Sequence, residues 1–107
     1  MPYLIVKSCY PSDKAPETAE RYLEALVKYP PDENLGTELV PAAVKATDQG
    51  IKVMTIIDVK KGKLEEAMDR MVKFEAMFLD IVGYEHEIST HYKAEEALAV
   101  VGMSMPE

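Results

Sequence analysis

His86 is the side chain of this sequence best suited to acid–base chemistry, because an imidazole titrates close to neutrality. It stands in the alternating stretch Tyr84 to Tyr92, YEHEISTHY, whose more apolar side carries Tyr84, His86, Ile88, Thr90 and Tyr92. A histidine among tyrosines can act as a general base or orient an acidic substrate. The plainer alternative is a partly buried histidine satisfied by a backbone carbonyl or a tyrosine hydroxyl. Metal binding through His86 and His91 fails on geometry: five residues apart on a strand, they point to opposite faces and lie about 16 Å apart. Glu85, Glu87 and His91 share a face, yet Glu87 and His91 are still about 13 Å apart. No metal is expected.

Cys9 is the single cysteine, so no intrachain disulfide can form. Its thiol becomes nucleophilic only if a helix N-terminus or Lys7 lowers its pKa; otherwise it is a small apolar filler. Lys7 and Lys45 could bind a carboxylate or hold a Schiff base, or simply reach solvent or an acid such as Asp58. The sequence contains no Gly-rich phosphate loop, nucleophile elbow, zinc spacing or dinucleotide fingerprint, so no cofactor is expected.

Composition narrows the partners. The 107 residues suit one domain (1–107), 48% hydrophobic and 29% charged, with a formal charge of −7. Nucleic-acid binding relies on Lys and Arg neutralising phosphates, and the one basic cluster, Lys60, Lys61 and Lys63, reads as a solvated turn. No apolar run approaches ~18 residues, and MPYLIVKS lacks the features of a signal peptide. A cytoplasmic protein bound to neither nucleic acid nor membrane is expected.

The elements that must position these residues are legible in order. Tyr3 to Tyr10 reads as a central strand, with Leu4, Val6, Ser8 and Tyr10 on one side and Tyr3, Ile5, Lys7 and Cys9 on the other; parity leaves open which side meets the helices. Pro16 suits the start of a helix running to about Tyr29, with Ala19, Tyr22, Leu23, Leu26 and Val27 at helical spacing. Pro30-Pro31 stops it. Val40 to Val59 reads as a hairpin turning at Gln49-Gly50. One of its faces carries Val40, Ala42, Val44, Ala46, Ile51, Val53, Thr55, Ile57 and Val59. The other is mixed, with Lys45, Lys52 and Asp58 beside Ala43, Met54 and Ile56. Pro41 has no N–H to donate, so its strand is expected at an edge or bulged.

A second helix follows Lys60–Lys63 and is closed by Gly83. Leu64, Ala67, Met68, Met71, Glu75 and Phe78 form its stripe, interrupted at Glu75. Val72, Phe74, Met77, Leu79 and Ile81 widen its apolar surface. After the Tyr84–Tyr92 strand, Ala94 to Val101 reads as a short terminal helix docking through Ala97, Leu98 and Val101.

The order strand, helix, strand, strand, helix, strand, with a faint repeat between RYLEALVKY and LEEAMDRMVKF, is that of an α+β ferredoxin-like βαββαβ sandwich with a four-stranded antiparallel sheet. In this order and in its two-faced hairpin the chain resembles the dimeric α+β barrel superfamily from Tyr3 to about Tyr92. The resemblance implies a homodimer joined through the mixed sheet face and a ligand cleft between sheet and helices. Tyr10, Tyr22, Tyr84, His86 and, if its side is inward, Ser8 would point into that cleft. Three functions are consistent with it: binding of a small apolar or aromatic molecule, a cofactor-free monooxygenase or isomerase with His86 as acid/base, and an assembly domain without ligand.

Overall fold

Hydrophobic alternation and helical stripes resolve into eight elements in the computed structural model, which describes residues 2–106. They are β1 (Tyr3–Tyr10), a 3-10 turn (Ser12–Lys14) leading into α1 (Ala15–Lys28), β2 (Gly36–Thr47), β3 (Gly50–Val59), α2 (Leu64–Ala76), β4 (Glu85–His91) and α3 (Ala94–Val100). The strands form one antiparallel sheet in the order β2-β3-β1-β4. The structure is thus α+β, an open four-stranded antiparallel sheet with three helices, compatible with a ferredoxin-like arrangement. α3 and the 3-10 turn are additions to a strict βαββαβ plan. Among the described residues no helix is long and apolar enough to cross a membrane.

The core lies between one face of the sheet and the helices. Leu4 and Val6 of β1, Ile57 and Val59 of β3, Ala25 of α1, and Ala67, Met71 and Phe74 of α2 are buried together with Phe78 and Ile81. The side of β1 left open by its sequence is therefore settled: Leu4, Val6, Ser8 and Tyr10 face the helices. Register carries the same face across the sheet, since Ser8 lies opposite both Val53 and His86, and Val6 opposite Thr55 and Ile88.

The hairpin turns one residue earlier than its glycine suggests. Asp48 and Gln49 form the loop, and Thr47 pairs with Gly50. The Thr47 hydroxyl explains the placement: it accepts from the Gln49 N–H at 3.1 Å and donates to the Gly50 carbonyl at 2.8 Å. Val44 therefore faces Val53 instead of Thr55, a slip of two positions in register. An even slip leaves side chains on their original faces. Further along, β2 carries irregularities between Ala43 and Val40 and between Val40 and Glu38. The first of them spans Pro41, on an edge strand, where the missing N–H breaks the ladder. The first shift brings Val40 opposite Ile56, moving it off the apolar face it was expected to share. The Pro41 carbonyl accepts from Thr55 Oγ1 at 2.9 Å, satisfying the one hydroxyl on that face of the hairpin.

The helices depart from their sequence reading in three places. In α1, Leu23 and Val27 are 63% and 84% exposed, while Thr18 and Ala25 are buried. Tyr22 and Leu26 pack at the margin of the core, so the docking face is rotated toward the tyrosine side. In α2, regular helix ends at Ala76, well before Gly83. Bonds from the N–H groups of Phe78 and Ile81 to carbonyls three residues back, at 3.0 and 3.1 Å, tighten the backbone into successive turns. That three-residue step keeps both Phe78 and Ile81 in the core. Of the docking side expected for α3, Leu98 is half-buried while Ala97 and Val101 are exposed.

Two arginines tie the helical layer together. Arg21 of α1 donates to the Met77 carbonyl, freed where α2 ends, and to the Asp80 carboxylate. Arg70 of α2 donates to the Tyr29 carbonyl at 3.0 Å and the Pro30 carbonyl at 2.8 Å, beyond the C-terminus of α1. The remaining sheet face carries Tyr3, Ile5, Lys7, Cys9, Ala43, Lys45, Lys52, Met54, Ile56 and Asp58. At its edge Lys93 pairs with Asp58 at 2.8 Å and lies 5.4 Å from the Tyr3 ring centre.

Gly50 is the tightest point of the hairpin. Its φ is +122°, and a Cβ there would sit 2.5 Å from the Tyr10 carbonyl oxygen. Gly50→Ala is expected to destabilise the fold by about 1–3 kcal/mol, through positive-φ strain and that backbone collision. Urea unfolding monitored by circular dichroism measures the loss; an unchanged midpoint would contradict it.

Candidate functional site

The sheet and helices do not close completely. A cavity of about 190 Å³ remains between them, floored by Val6, Ser8 and Tyr10 of β1 and Val53 and Thr55 of β3. Its helical wall is made by Thr18, Ala19 and Tyr22 of α1 and by Met71, Phe74 and Glu75 of α2. Phe78 and Tyr84, from the connection between α2 and β4, complete it.

Glu75 is the unusual member. Met71, Glu75 and Phe78 follow one another at helical spacing on the side of α2 that faces the sheet, so the carboxylate is carried inward with its neighbours. It is 3% exposed. Tyr84 Oη lies 3.0 Å from each of its carboxylate oxygens and donates to them. Burial in this apolar setting pushes the carboxyl pKa up to about 7, and the hydrogen bond from Tyr84 only partly offsets it. The Tyr84 phenol is itself driven well above its ordinary value, first by burial and then by the negative charge of Glu75, while a hydrogen bond with Ser8 works in the opposite direction.

Aromatic rings run around this carboxyl. Tyr84 stacks on Phe78 with ring centres 5.0 Å apart and on Tyr10 at 6.2 Å. Phe78 contacts Phe74 at 5.7 Å, and Phe74 meets Tyr22 edge-on at 6.1 Å. Thr18 adds a second polar feature. It is 5% exposed, and its Oγ1 has no hydrogen-bond partner among the described residues. A buried hydroxyl in that condition forfeits about 1–3 kcal/mol unless something binds it.

Four of the side chains singled out from the sequence, Ser8, Tyr10, Tyr22 and Tyr84, line this one cavity. His86 does not. Its ring centre is 6.2 Å from that of Tyr84, but the side chain is exposed and borders a shallow depression shared with Lys7, Cys9 and Lys52. The polar groups converge on Glu75, not on His86. The signal for Glu75 was present in the sequence as the acid that interrupts the apolar stripe from Leu64 to Phe78. Nothing in the pattern of α1 marks Thr18, whose burial follows from the rotation of that helix.

Comparison with known proteins yields a likeness of fold and nothing finer. No protein-family model matches the chain, and no curated protein matches it. Among solved structures it is similar to the de novo designed protein Foldit4, at a TM-score of 0.50 and 15% identity over 86% of this chain and 96% of that one. A weaker likeness, with a TM-score of 0.46 and 8% identity, covers 83% of this chain and 28% of a formyltetrahydrofolate deformylase from Pseudomonas putida KT2440.

The carboxyl of Glu75 links stability to pH. Because its folded-state pKa lies above its ordinary 4.5, the folded protein holds this proton more tightly than the unfolded chain. The associated stability is fully present below about pH 4.5 and is lost as pH rises through about 7. Glu75→Gln is therefore expected to raise stability at pH 8 by up to about 3 kcal/mol and to flatten the fall in Tm between pH 5 and 8. Calorimetry across that range measures both effects; a variant that keeps the wild-type slope would show that another group is responsible.

Proposed function

We propose that the chain binds a small, single-ring aromatic molecule with one polar substituent in the cleft between its sheet and helices. The observation carrying this reading is an aromatic-walled cavity of about 190 Å³ left unfilled beside a buried carboxyl and an unpartnered threonine hydroxyl. A dry engineered cavity of roughly 150 Å³ takes up benzene. A substituted ring is thus the right scale of occupant, and the apolar walls favour its transfer from water. A fully packed cleft would have favoured an assembly domain without ligand.

The same geometry supports a second reading, catalysis without a cofactor. A carboxyl whose pKa is raised to about 7 is matched to proton transfer at neutral pH. In that reading Glu75, inside the cavity, is better placed to act as acid/base than the exposed His86.

The proposed chain works as a homodimer of ferredoxin-like subunits of the dimeric α+β barrel type, joined through the open sheet face. This is supported by the apolar centre of that face, Ile5, Met54 and Ile56, framed by Lys7, Lys45, Lys52 and Asp58. Such a surface is too apolar to be left to water and too charged for a monomer's core.

Ligand binding is tested by titrating single-ring aromatics into isotopically labelled protein. Shifts are expected at Ser8, Thr18 and Tyr84, and Ala19→Phe, which places a ring in the cleft from an exposed helix position, is expected to abolish them. Shifts that persist in that variant would put the ligand elsewhere. For the dimer, light scattering at micromolar concentration is expected to give twice the chain mass, falling to the monomer mass in Ile56→Glu. A monomeric parent protein would sink this part of the proposal.

A further inference from the structure

The cleft pairs two features that select for charge. It contains a buried carboxyl with no cation beside it, and five aromatic rings line its walls. Among the described residues no lysine or arginine lines the cavity. The nearby arginines are occupied elsewhere: Arg21 is bound to Asp80 and the Met77 carbonyl, and Arg70, 5.9 Å from the Phe74 ring centre, donates to the Tyr29 and Pro30 carbonyls. Tyr84 supplies Glu75 with a hydrogen bond but no countercharge.

We propose that the cleft recognises a protonated amine carried on a single aromatic ring, its ammonium held by the Glu75 carboxylate and the Thr18 hydroxyl. This rests on the reading of the cleft as a ligand site and adds the charge of the ligand. An ammonium has three N–H donors and no acceptor, so it needs what this cavity offers: carboxylate oxygens and a hydroxyl oxygen without a partner. The aromatic rings that line the cavity, Tyr22 and Phe74 among them, supply π electrons for cation–π attraction, which gains strength where water is excluded. A carboxylate ligand meets the opposite conditions, facing Glu75 across a low-dielectric gap and the negative faces of the rings. A neutral alcohol can donate to Glu75 but gains little from the rings. The net charge of −7 also draws cations toward the protein and repels anions.

The pH behaviour follows from the groups around the ligand. Tyr84 touches Glu75, and Tyr10 of β1 and Tyr22 of α1 line the same cavity; all three are phenols held above their ordinary pKa and neutral through pH 8. His86 of β4 is the other titratable group nearby, behind Tyr84. Glu75 is the group that changes charge inside the cavity near neutrality, and only its ionised form offers a full countercharge.

The test is calorimetric titration of the full chain with benzylamine, benzyl alcohol and benzoate at pH 8 and pH 6. At pH 8 benzylamine is expected to bind at least tenfold more tightly than benzyl alcohol, with benzoate the weakest. At pH 6, with Glu75 largely protonated, the amine is expected to bind about tenfold less tightly while benzyl alcohol is unchanged. Glu75→Gln should remove the preference for the amine at both pH values, and His86→Asn should leave it intact. If the Gln variant does not fold, Thr18→Val serves in its place and is expected to weaken benzylamine several-fold. Benzyl alcohol binding as tightly as benzylamine at pH 8 would overturn the amine inference and leave the aromatic site standing. A pH dependence that survives Glu75→Gln but disappears in His86→Asn would overturn it too. Failure of all three probes to bind would overturn the ligand site itself.

Discussion

The buried carboxyl of Glu75, held by the hydroxyl of Tyr84 and by no countercharge in the cavity, is the constraint around which this structure is arranged. It is paid for by the packing of everything nearby. α2 must bury Met71, Phe74 and Phe78 to cover the sheet, and at helical spacing Glu75 is drawn in with them. Ionised, the carboxyl is opposed by its surroundings; protonated, it can remain. That balance sets a titration near neutrality and leaves an apolar, aromatic space with one strongly polar wall.

Holding that wall in place falls to features outside the cavity. The tightened turns after Ala76 carry Phe78 and Ile81 into the core and bring the chain back so that Tyr84 can reach Glu75. The same turns free the Met77 carbonyl, which Arg21 takes up from α1. Arg70 performs the reciprocal service at the end of α1 through the Tyr29 and Pro30 carbonyls. The two helices are thus joined by charged donors on backbone acceptors, once where α2 ends and once where α1 ends. Thr18, near the start of α1 and on the far side of Arg21 from the second tie, is buried without a partner among the described residues.

The hairpin shows how local chemistry and longer-range pairing divide the work. Its two faces follow from alternation, and near the turn they survive the displacement of the loop from Gln49-Gly50 to Asp48-Gln49 because the slip is even. Where Pro41 cannot donate, β2 changes register and Val40 leaves its expected face. The usual preference for glycine as the second residue of a tight loop points to Gln49-Gly50, one position later than the loop that forms. Gly50 is instead required by its contact with the Tyr10 carbonyl of β1, a strand distant in sequence. Alternation could not reveal that neighbour.

By itself the sequence determined the order of elements and the inward set of Leu4, Val6, Ser8 and Tyr10 up to a choice of two faces; the grouping of tyrosines in one cleft was implied only by the resemblance in element order. The first two rest on periods of two and about 3.6, which operate within one element and so can be read from one element. Only the tertiary structure decided which face of β1 is inward, how far α1 is rotated, and where regular α2 stops. Those are settled by what the opposite layer presents. They in turn decided the site: His86, favoured for the chemistry of its ring, lies outside on an edge strand. Glu75, which looked like a break in a pattern, lies inside, because burial is a property of the assembled layers and not of a residue type.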